Sequence, residues 1–290
     1  MHTHTYSAYT YLINGSFDHT ISPFDRGFAY GDGVFRTLVM REGLPENWPL
    51  HYQKLVADCA AINIVCPSAE LLMDDLQQLF TPDDVAVAKI IVTRGEGNRG
   101  YTPPAITAPM RVVTKSAMPQ YPQNRFTDGV NLIVCETRLA KQPRLAGLKH
   151  LNRLENVLAC MEWNDANLAN SVVEGILLDT DGNVIESTAA NIFARFGDTL
   201  LTPSLQQCGV AGITRQRIIE LADTLSLKTS VETFNLEKLF AADGVIICNS
   251  MYGAWQVLSI QNNMNTLQKK FKKDALAANI RTALGVSKNI

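Results

Sequence analysis

The stretch AVAKIIVTRGEGNRGYTPP, residues 86–104, decides between two fold classes, because a glycine-rich turn follows an apolar segment typical of a strand. Residues 95–100 match the G-x-G-x-x-G pattern of dinucleotide-binding turns, which must open a helix whose first amides meet the pyrophosphate. Here two prolines follow within four residues of the last glycine, and they prevent that helix. We therefore predict a tight loop that presents Arg94, Arg99 and Tyr101 instead of a nicotinamide or flavin site.

The segments around this loop in the amino-terminal half alternate between strand and helix patterns. Short runs rich in β-branched residues indicate strands, and an Asn-Gly pair after the first run indicates a tight turn. Apolar residues spaced three and four apart indicate helices, and Ser68 is a suitable N-cap for one of them. We predict strands at residues 11–15, 34–40, 86–93 and 110–116, and helices at residues 50–62 and 68–80.

A proline-containing segment without periodicity divides the chain, and we predict a linker at residues 119–125 between domains at 1–118 and 126–290. The fold class is therefore α/β or α+β, with a smaller N-terminal and a larger C-terminal domain. In the second domain we predict strands at residues 130–135, 174–179 and 190–195, a turn at 179–183 joining the last two, and helices at 151–164, 214–226 and 271–283.

The composition is that of an ordinary soluble globular protein, with 46% hydrophobic and 19% charged residues. A net charge of -2 disfavours general nucleic-acid binding. The sequence contains no run of 18 apolar residues, so a membrane-spanning helix is not expected. The first residues have neither a basic start nor a long apolar run, so we expect a cytoplasmic protein. Six cysteines without a C-x-x-C pair fit reduced, packed thiols better than disulfides or a metal site.

One lysine stands out in the stretch AGLKHLNRLEN, residues 146–156, where Lys149 is followed by His150 and, four positions on, by Arg153. A lysine that performs covalent chemistry needs a neutral amine, which partial burial or a neighbouring cation provides. The sequence position alone does not establish burial, and taken by itself Lys149 is expected to be a surface residue.

Six motifs along the chain place Lys149 in a wider pattern. They are FDRGFAYGDGVFRT (24–37), RGEGNRGY (94–101), LAGLKHLNRLENVL (145–158), GNVIESTAANIF (182–193), GVAGITRQ (209–216) and ICNSMYG (247–253). In content and order they resemble the class IV aminotransferase family, the fold-type-IV pyridoxal-phosphate enzymes, from about residue 11 to residue 258. The resemblance implies a two-domain fold like that of D-amino acid aminotransferases, pyridoxal 5′-phosphate as cofactor, and a homodimer.

Carried over position by position, the resemblance makes Lys149 the lysine that binds the cofactor covalently and Glu186 the carboxylate that faces the pyridine nitrogen. A carboxylate there keeps the nitrogen protonated, so that the ring accepts electrons from the reacting carbon. Lys54 stands where relatives usually have arginine, and it offers a point charge in place of a planar fork. The residues expected around the cofactor phosphate are Lys54, Ile213, Thr214, Ser250 and Met251.

Substrate contacts are also implied by the resemblance. Arg99 matches a position where D-amino acid aminotransferases bind a substrate carboxylate, and Tyr101 is a neighbouring candidate for substrate binding. Thr37 matches a position whose hydroxyl lies near the reacting carbon and helps proton delivery to the departing group. Arg153 is expected to contact the cofactor's ring hydroxyl or the substrate, and His150 is expected to pack behind them.

The loop RGEGNRGY and the motif around Lys149 favour the lyases of the family over its aminotransferases. This implies elimination of pyruvate from the small-molecule substrate 4-amino-4-deoxychorismate, which yields 4-aminobenzoate for folate synthesis. The alternative is an aminotransferase for D-amino acids or branched-chain amino acids. A noncatalytic nucleotide-binding module stays open as a remote alternative, because it is supported only by the G-x-G-x-x-G pattern.

Overall fold

A computed structural model of the protein describes residues 10–163, 172–262 and 268–286. The chain divides into two compact units. The first unit consists of Met1–Pro119 and Lys149–Asn152, and the second of Gln120–Leu148 and Arg153–Ile290. The division after Pro119 lies within the interval predicted as linker, whereas residues 149–152 belong to the first unit although the predicted boundaries assign them to the C-terminal domain.

An antiparallel five-stranded sheet forms the first unit, with strand order β1-β5-β4-β2-β3. Leu38 and Ile90 from this sheet share one buried core with Leu55, Leu72 and Leu76 from two helices on one face. Its elements are β1 (Thr10–Ile13), α1 (Arg26–Tyr30), β2 (Gly33–Arg41), β3 (Leu44–Pro45), α2 (Trp48–Ala61), α3 (Ala69–Leu79), β4 (Val85–Thr93) and β5 (Met110–Ala117).

Local signals in the sequence correctly predicted six of these eight elements, whereas the short elements α1 and β3 were not predicted. Ser68 caps α3, and its side chain accepts a hydrogen bond from the Leu71 amide at 3.3 Å. Asn14 and Gly15 both adopt positive φ after β1, as a tight turn of this type requires. No helix follows the glycine-rich loop, so the dinucleotide-binding context is absent from this described segment.

A mixed sheet of nine described strands organises the second unit, in the order β11-β10-β9-β12-β13-β6-β7-β8 with β14 beside β13. None of the helices that the structure describes has the length and apolarity needed to cross a bilayer. The elements are α4 (Asn124–Thr127), β6 (Val130–Leu139), α5 (Leu154–Trp163), β7 (Val172–Asp179), β8 (Val184–Ser187), β9 (Asn191–Phe196), β10 (Thr199–Pro203), α6 (Ile213–Leu221), β11 (Lys228–Glu232), α7 (Leu236–Phe240), β12 (Gly244–Asn249), β13 (Gly253–Asn262), β14 (Gln268–Lys270) and α8 (Leu276–Ala283).

The turn at residues 179–183 does not join the two strands predicted on either side of it, because an unpredicted strand, β8, intervenes. The chain turns again directly after β8, where the buried Glu174 carboxylate accepts hydrogen bonds from the Ser187 hydroxyl at 2.8 Å and the Ala189 amide at 3.2 Å. Four residues are too few to show a clear alternation, so β8 has no distinct sequence signal.

Three predicted helices are shorter than expected. The helix predicted from residue 151 begins at Leu154, since residue 151 is paired with β2, and its predicted last residue, Asn164, lies outside the described residues. Helix α6 ends at Leu221 and gives way to a short 3-10 turn. Helix α8 begins only at Leu276, because the Phe271 amide donates to the Leu258 carbonyl and continues the pairing of β14 with β13.

Candidate active site

Lys149 lies in the first unit, where backbone hydrogen bonds tie its segment to the start of β2. The Phe35 amide donates to the Lys149 carbonyl at 2.9 Å, and the Leu151 amide donates to the Gly33 carbonyl at 3.0 Å. The Lys149 Nζ lies 4.5 Å from the centroid of the Phe35 ring. A strand and an aromatic ring therefore fix both the backbone and the amine of this half-buried lysine.

A second lysine shares the same ring. The Lys89 Nζ lies 4.7 Å from the Phe35 centroid, and burial lowers the pKa of Lys89. Lys89 is the cross-strand partner of Thr37, whose side chain projects to the same face of β2 as Phe35 because the two are two residues apart. Lys89 has no ion pair among the described residues. The structure therefore brings Lys149 and Lys89 together at the Phe35 ring, with Thr37 on the same face of the sheet.

A buried carboxylate, Asp58 of α2, lies behind this segment. It forms ion pairs with Arg36 of β2 and with Lys54 one helical turn earlier, and it accepts the Lys149 amide hydrogen at 3.2 Å. Burial, assisted by the Arg36 guanidinium, lowers the pKa of Lys54 to about 7. The same two causes and Lys149 lower the pKa of His51 to about 3, so this histidine is neutral at physiological pH.

The sequence analysis missed Lys89, Arg36 and Asp58 as parts of this cluster. Each is a charged residue within an otherwise apolar strand or on the buried side of a helix. A charge in such a position is the available sequence signal, because lone buried charges are rare and need partners.

The prediction that the glycine-rich loop presents Arg94 is wrong. This side chain is buried, and it forms an ion pair with Asp32 at 2.7 Å and donates to the carbonyls of Ile62 and Asn63. Arg94 therefore anchors the base of the loop and is not presented by it. A fork-shaped guanidinium that donates to three residues at once is held rigidly.

Arg99 and Tyr101 are exposed on this loop, and the side chain of Tyr101 is 85% exposed. Arg26 holds the loop from below, since its guanidinium donates to the carbonyls of Gly100 and Tyr101, each at 2.9 Å. The Tyr101 ring packs on Tyr30. Within the described residues neither Arg99 nor Tyr101 has a hydrogen bond, ion pair or ring contact with Lys149.

Glu186 lies in the second unit, on β8, and only 3% of it is exposed. Its Oε2 accepts a hydrogen bond from the Val210 amide at 2.8 Å. Burial lowers the pKa of Arg153, and the nearby Glu186 carboxylate opposes that shift, so the two charges face each other within this unit. Arg153 also donates to the Leu148 carbonyl.

The loop that leads into α6 is held by side chains on both flanks. Asn191 donates to the Val210 carbonyl at 2.7 Å and accepts from the Gly212 amide at 3.2 Å. A Cβ on Gly212 would lie 2.3 Å from the Asn191 Oδ1, which explains the glycine there. Gly212 caps α6 without a side-chain hydrogen bond. The amides of Ile213 and Thr214 therefore lie at the positive end of the helix without a capping side chain.

The second predicted phosphate loop is also fixed by an asparagine. The Asn249 Oδ1 accepts hydrogen bonds from the amides of Met251 at 2.9 Å and Tyr252 at 3.2 Å, and this closes a turn around Ser250. The Asn249 amide group donates to the Ala189 carbonyl, two residues after the end of β8. Asn249 therefore connects the turn that contains Ser250 and Met251 to the segment that follows β8.

Comparisons with known proteins give independent information on the family and the fold of the chain. A family model described as amino-transferase class IV matches residues 33–260. The chain is 34% identical to the aminodeoxychorismate lyase of Vibrio harveyi, over 89% of this chain and 93% of that protein. It is also 29% identical to the D-alanine aminotransferase of Listeria monocytogenes, over 80% of each chain.

Among solved structures, 4-amino-4-deoxychorismate lyase from Pseudomonas aeruginosa matches with a TM-score of 0.86 and 38% identity, over 94% of this chain and 97% of that one. This match confirms the predicted fold class, a mixed α and β structure of fold type IV.

Proposed function

This chain belongs to the class IV aminotransferase family, and from that premise we propose that it is a lyase that eliminates pyruvate from 4-amino-4-deoxychorismate and releases 4-aminobenzoate. The enzymes of this family use pyridoxal 5′-phosphate. The observation that carries the proposal is the position of a second lysine, Lys89, at the Phe35 ring beside Lys149, with Thr37 opposite Lys89 in the pairing of β2 with β4. A substrate with two carboxylates needs such additional positive charge.

The side chains present fit the cofactor. An aldehyde needs an amine, a pyridine nitrogen needs a carboxylate, and a phosphate needs amide donors and a cation. Lys149 supplies the amine, the buried Glu186 the carboxylate, and the start of α6 the amides. The helix end is open to an anion because its cap, Gly212, has no side chain to occupy it.

When bound, pyridoxal phosphate supplies an electron sink for the carbon beside the substrate nitrogen. We propose that Lys149 would hold the cofactor through its side-chain amine and that the same amine, when free and neutral, would remove the proton from that carbon. The Thr37 hydroxyl delivers a proton to the departing enolpyruvyl oxygen. Lys54 binds the phosphate as an ammonium group.

The second unit contributes the remaining cofactor contacts of the proposal. Glu186 holds a proton on the ring nitrogen, and its hydrogen bond from Val210 keeps the carboxylate oriented. The amides of Ile213 and Thr214, with Ser250 and Met251, bind the phosphate. Arg153 lies beside Glu186 and contacts the ring hydroxyl or the substrate.

Substrate recognition is assigned to two cations, Lys89 and Arg99, and to the neighbouring Tyr101. Lys89 binds one substrate carboxylate, and its half-buried ammonium without an ionic partner among the described residues suits that role. Arg99 and Tyr101 bind the other carboxylate from the exposed loop, which Arg26 holds in place.

We also propose that the enzyme is a cytoplasmic homodimer. The support for a dimer is a row of exposed apolar side chains on α5, spaced three and four residues apart. They are Leu154, Val157, Leu158 and Met161, which are 47–69% exposed. The support for the cytoplasm is that all six cysteines are free.

One assay tests the reaction. Purified enzyme with pyridoxal phosphate is given 4-amino-4-deoxychorismate and no keto acid, and 4-aminobenzoate and pyruvate are quantified. Equimolar formation of both products is expected. Activity that requires a keto acid together with D-alanine or a branched-chain amino acid would instead make the protein an aminotransferase.

A further inference from the structure

The carboxylate of Asp58 divides its two oxygens between different tasks. Oδ1 contacts the ammonium of Lys54, and Oδ2 contacts the guanidinium of Arg36 and accepts the amide hydrogen of Lys149 at 3.2 Å. The Asp58 side chain is completely buried. One rigid carboxylate therefore touches both the cation assigned to the phosphate and the backbone of the covalent lysine.

This arrangement has a physical reason in the chemistry of lysine. A lysine side chain is a flexible stem with a point charge, so Lys54 does not orient itself as a planar guanidinium would. Asp58 lies four residues later on α2, on the same helix face, and draws the ammonium to one place. Arg36 adds positive charge on the other side, so that the buried carboxylate is fully compensated.

We propose that Asp58 is a positioning residue that fixes the Lys54 ammonium and the Lys149 backbone relative to each other, through one oxygen each. This inference rests on the proposed function, since it gives Lys54 and Lys149 their tasks. Asp58 itself does not touch the substrate or the cofactor. Its effect is to preserve the spacing between two groups that must engage the same small molecule.

The same unit offers a matched control. Asp75 of α3 is also buried and forms an ion pair with Arg111 at 2.6 Å, and among the described residues it has no ion pair with Lys54 or Lys149. Asp75→Asn removes a buried charge of the same kind, so it reproduces the general loss of stability. Only Asp58→Asn is expected to change the two lysines.

The test measures, in protein without cofactor, one property of each group that Asp58 contacts: the pKa of Lys54 and the exchange rate of the Lys149 amide. Competitive acetylation read by mass spectrometry yields the pKa of Lys54, and Asp58→Asn should lower that pKa by about one unit or more, because an opposite charge is removed. Hydrogen exchange of the Lys149 amide, followed with lysine-selective ¹⁵N labelling, should quicken at least about tenfold in the same variant. Asp75→Asn should change neither. With cofactor, pyridoxal phosphate should bind about tenfold more weakly to Asp58→Asn than to Asp75→Asn.

Unchanged Lys54 and Lys149 readouts in a folded Asp58→Asn protein would overturn the inference. If that variant does not fold, the wild type decides, because an unprotected Lys149 amide also overturns it and a protected one supports it. Borohydride reduction of the wild type with pyridoxal phosphate, followed by peptide mapping, tests the proposed function separately. An adduct at another lysine would refute that function, while the acetylation and exchange measurements would still decide the role of Asp58.

Discussion

Raising the pH from 7 to 9 should weaken phosphate binding through Lys54. Burial and the neighbouring Arg36 lower the pKa of this lysine from its ordinary value of 10.5 to about 7. The proposed phosphate contact requires the ammonium form, which is present below pH 7 and is lost as the pH rises. A phosphate monoester with a second pKa of about 6 keeps its own charge over this range.

The magnitude follows from the titration of one group. Lys54 is about half protonated at pH 7 and about one hundredth protonated at pH 9, given a pKa of about 7. If only the ammonium form binds, the dissociation constant should rise about 50-fold, which corresponds to about 2.3 kcal/mol. A bound dianion raises the pKa of Lys54, so the decline begins at the pKa of the free protein and levels off above the pKa of the complex.

A suitable ligand is 4′-deoxypyridoxine 5′-phosphate, because it has no aldehyde and does not bond to Lys149. Its dissociation constant is measured by fluorescence at intervals of half a pH unit. Lys54→Arg is the control, because a guanidinium stays charged from pH 7 to pH 9. The pH dependence of this variant therefore reports the titration of the ligand, and dividing by it isolates the contribution of Lys54. A wild-type curve parallel to that of Lys54→Arg would refute the reasoning.

Three further changes test other parts of the structure. Glu186→Gln should lower turnover about 100-fold or more in steady-state assays while cofactor binding changes much less, because the amide no longer holds a proton on the ring nitrogen. Gly212→Ala should weaken cofactor binding in a fluorescence titration, because its Cβ would lie 2.3 Å from the Asn191 Oδ1 and must displace the loop; unchanged affinity would contradict this. Met161→Glu should convert the dimer to a monomer in light scattering, whereas Val65→Glu, at another exposed position, should not.

Much of the fold could be predicted because its signals are local. Ser68 begins α3, Asn14 and Gly15 turn the chain after β1, and the prolines after the glycine-rich loop exclude a helix. Segments without a local signal were missed or misassigned. Strand β8 is too short to alternate clearly, and Leu151 lies outside α5 because its amide donates to the carbonyl of Gly33, more than a hundred residues away in sequence.

The sequence by itself determined the family, and its motifs singled out Lys149 and Glu186, because the order and spacing of motifs are properties of the linear chain. Only the tertiary structure decided which charges surround them. It revealed that Arg94 is a buried anchor, that Lys89 shares the Phe35 ring with Lys149, and that Asp58 reaches Lys54, Arg36 and the Lys149 amide. The reason is that burial and electrostatic partnership depend on distances through space, and residues far apart in sequence set those distances.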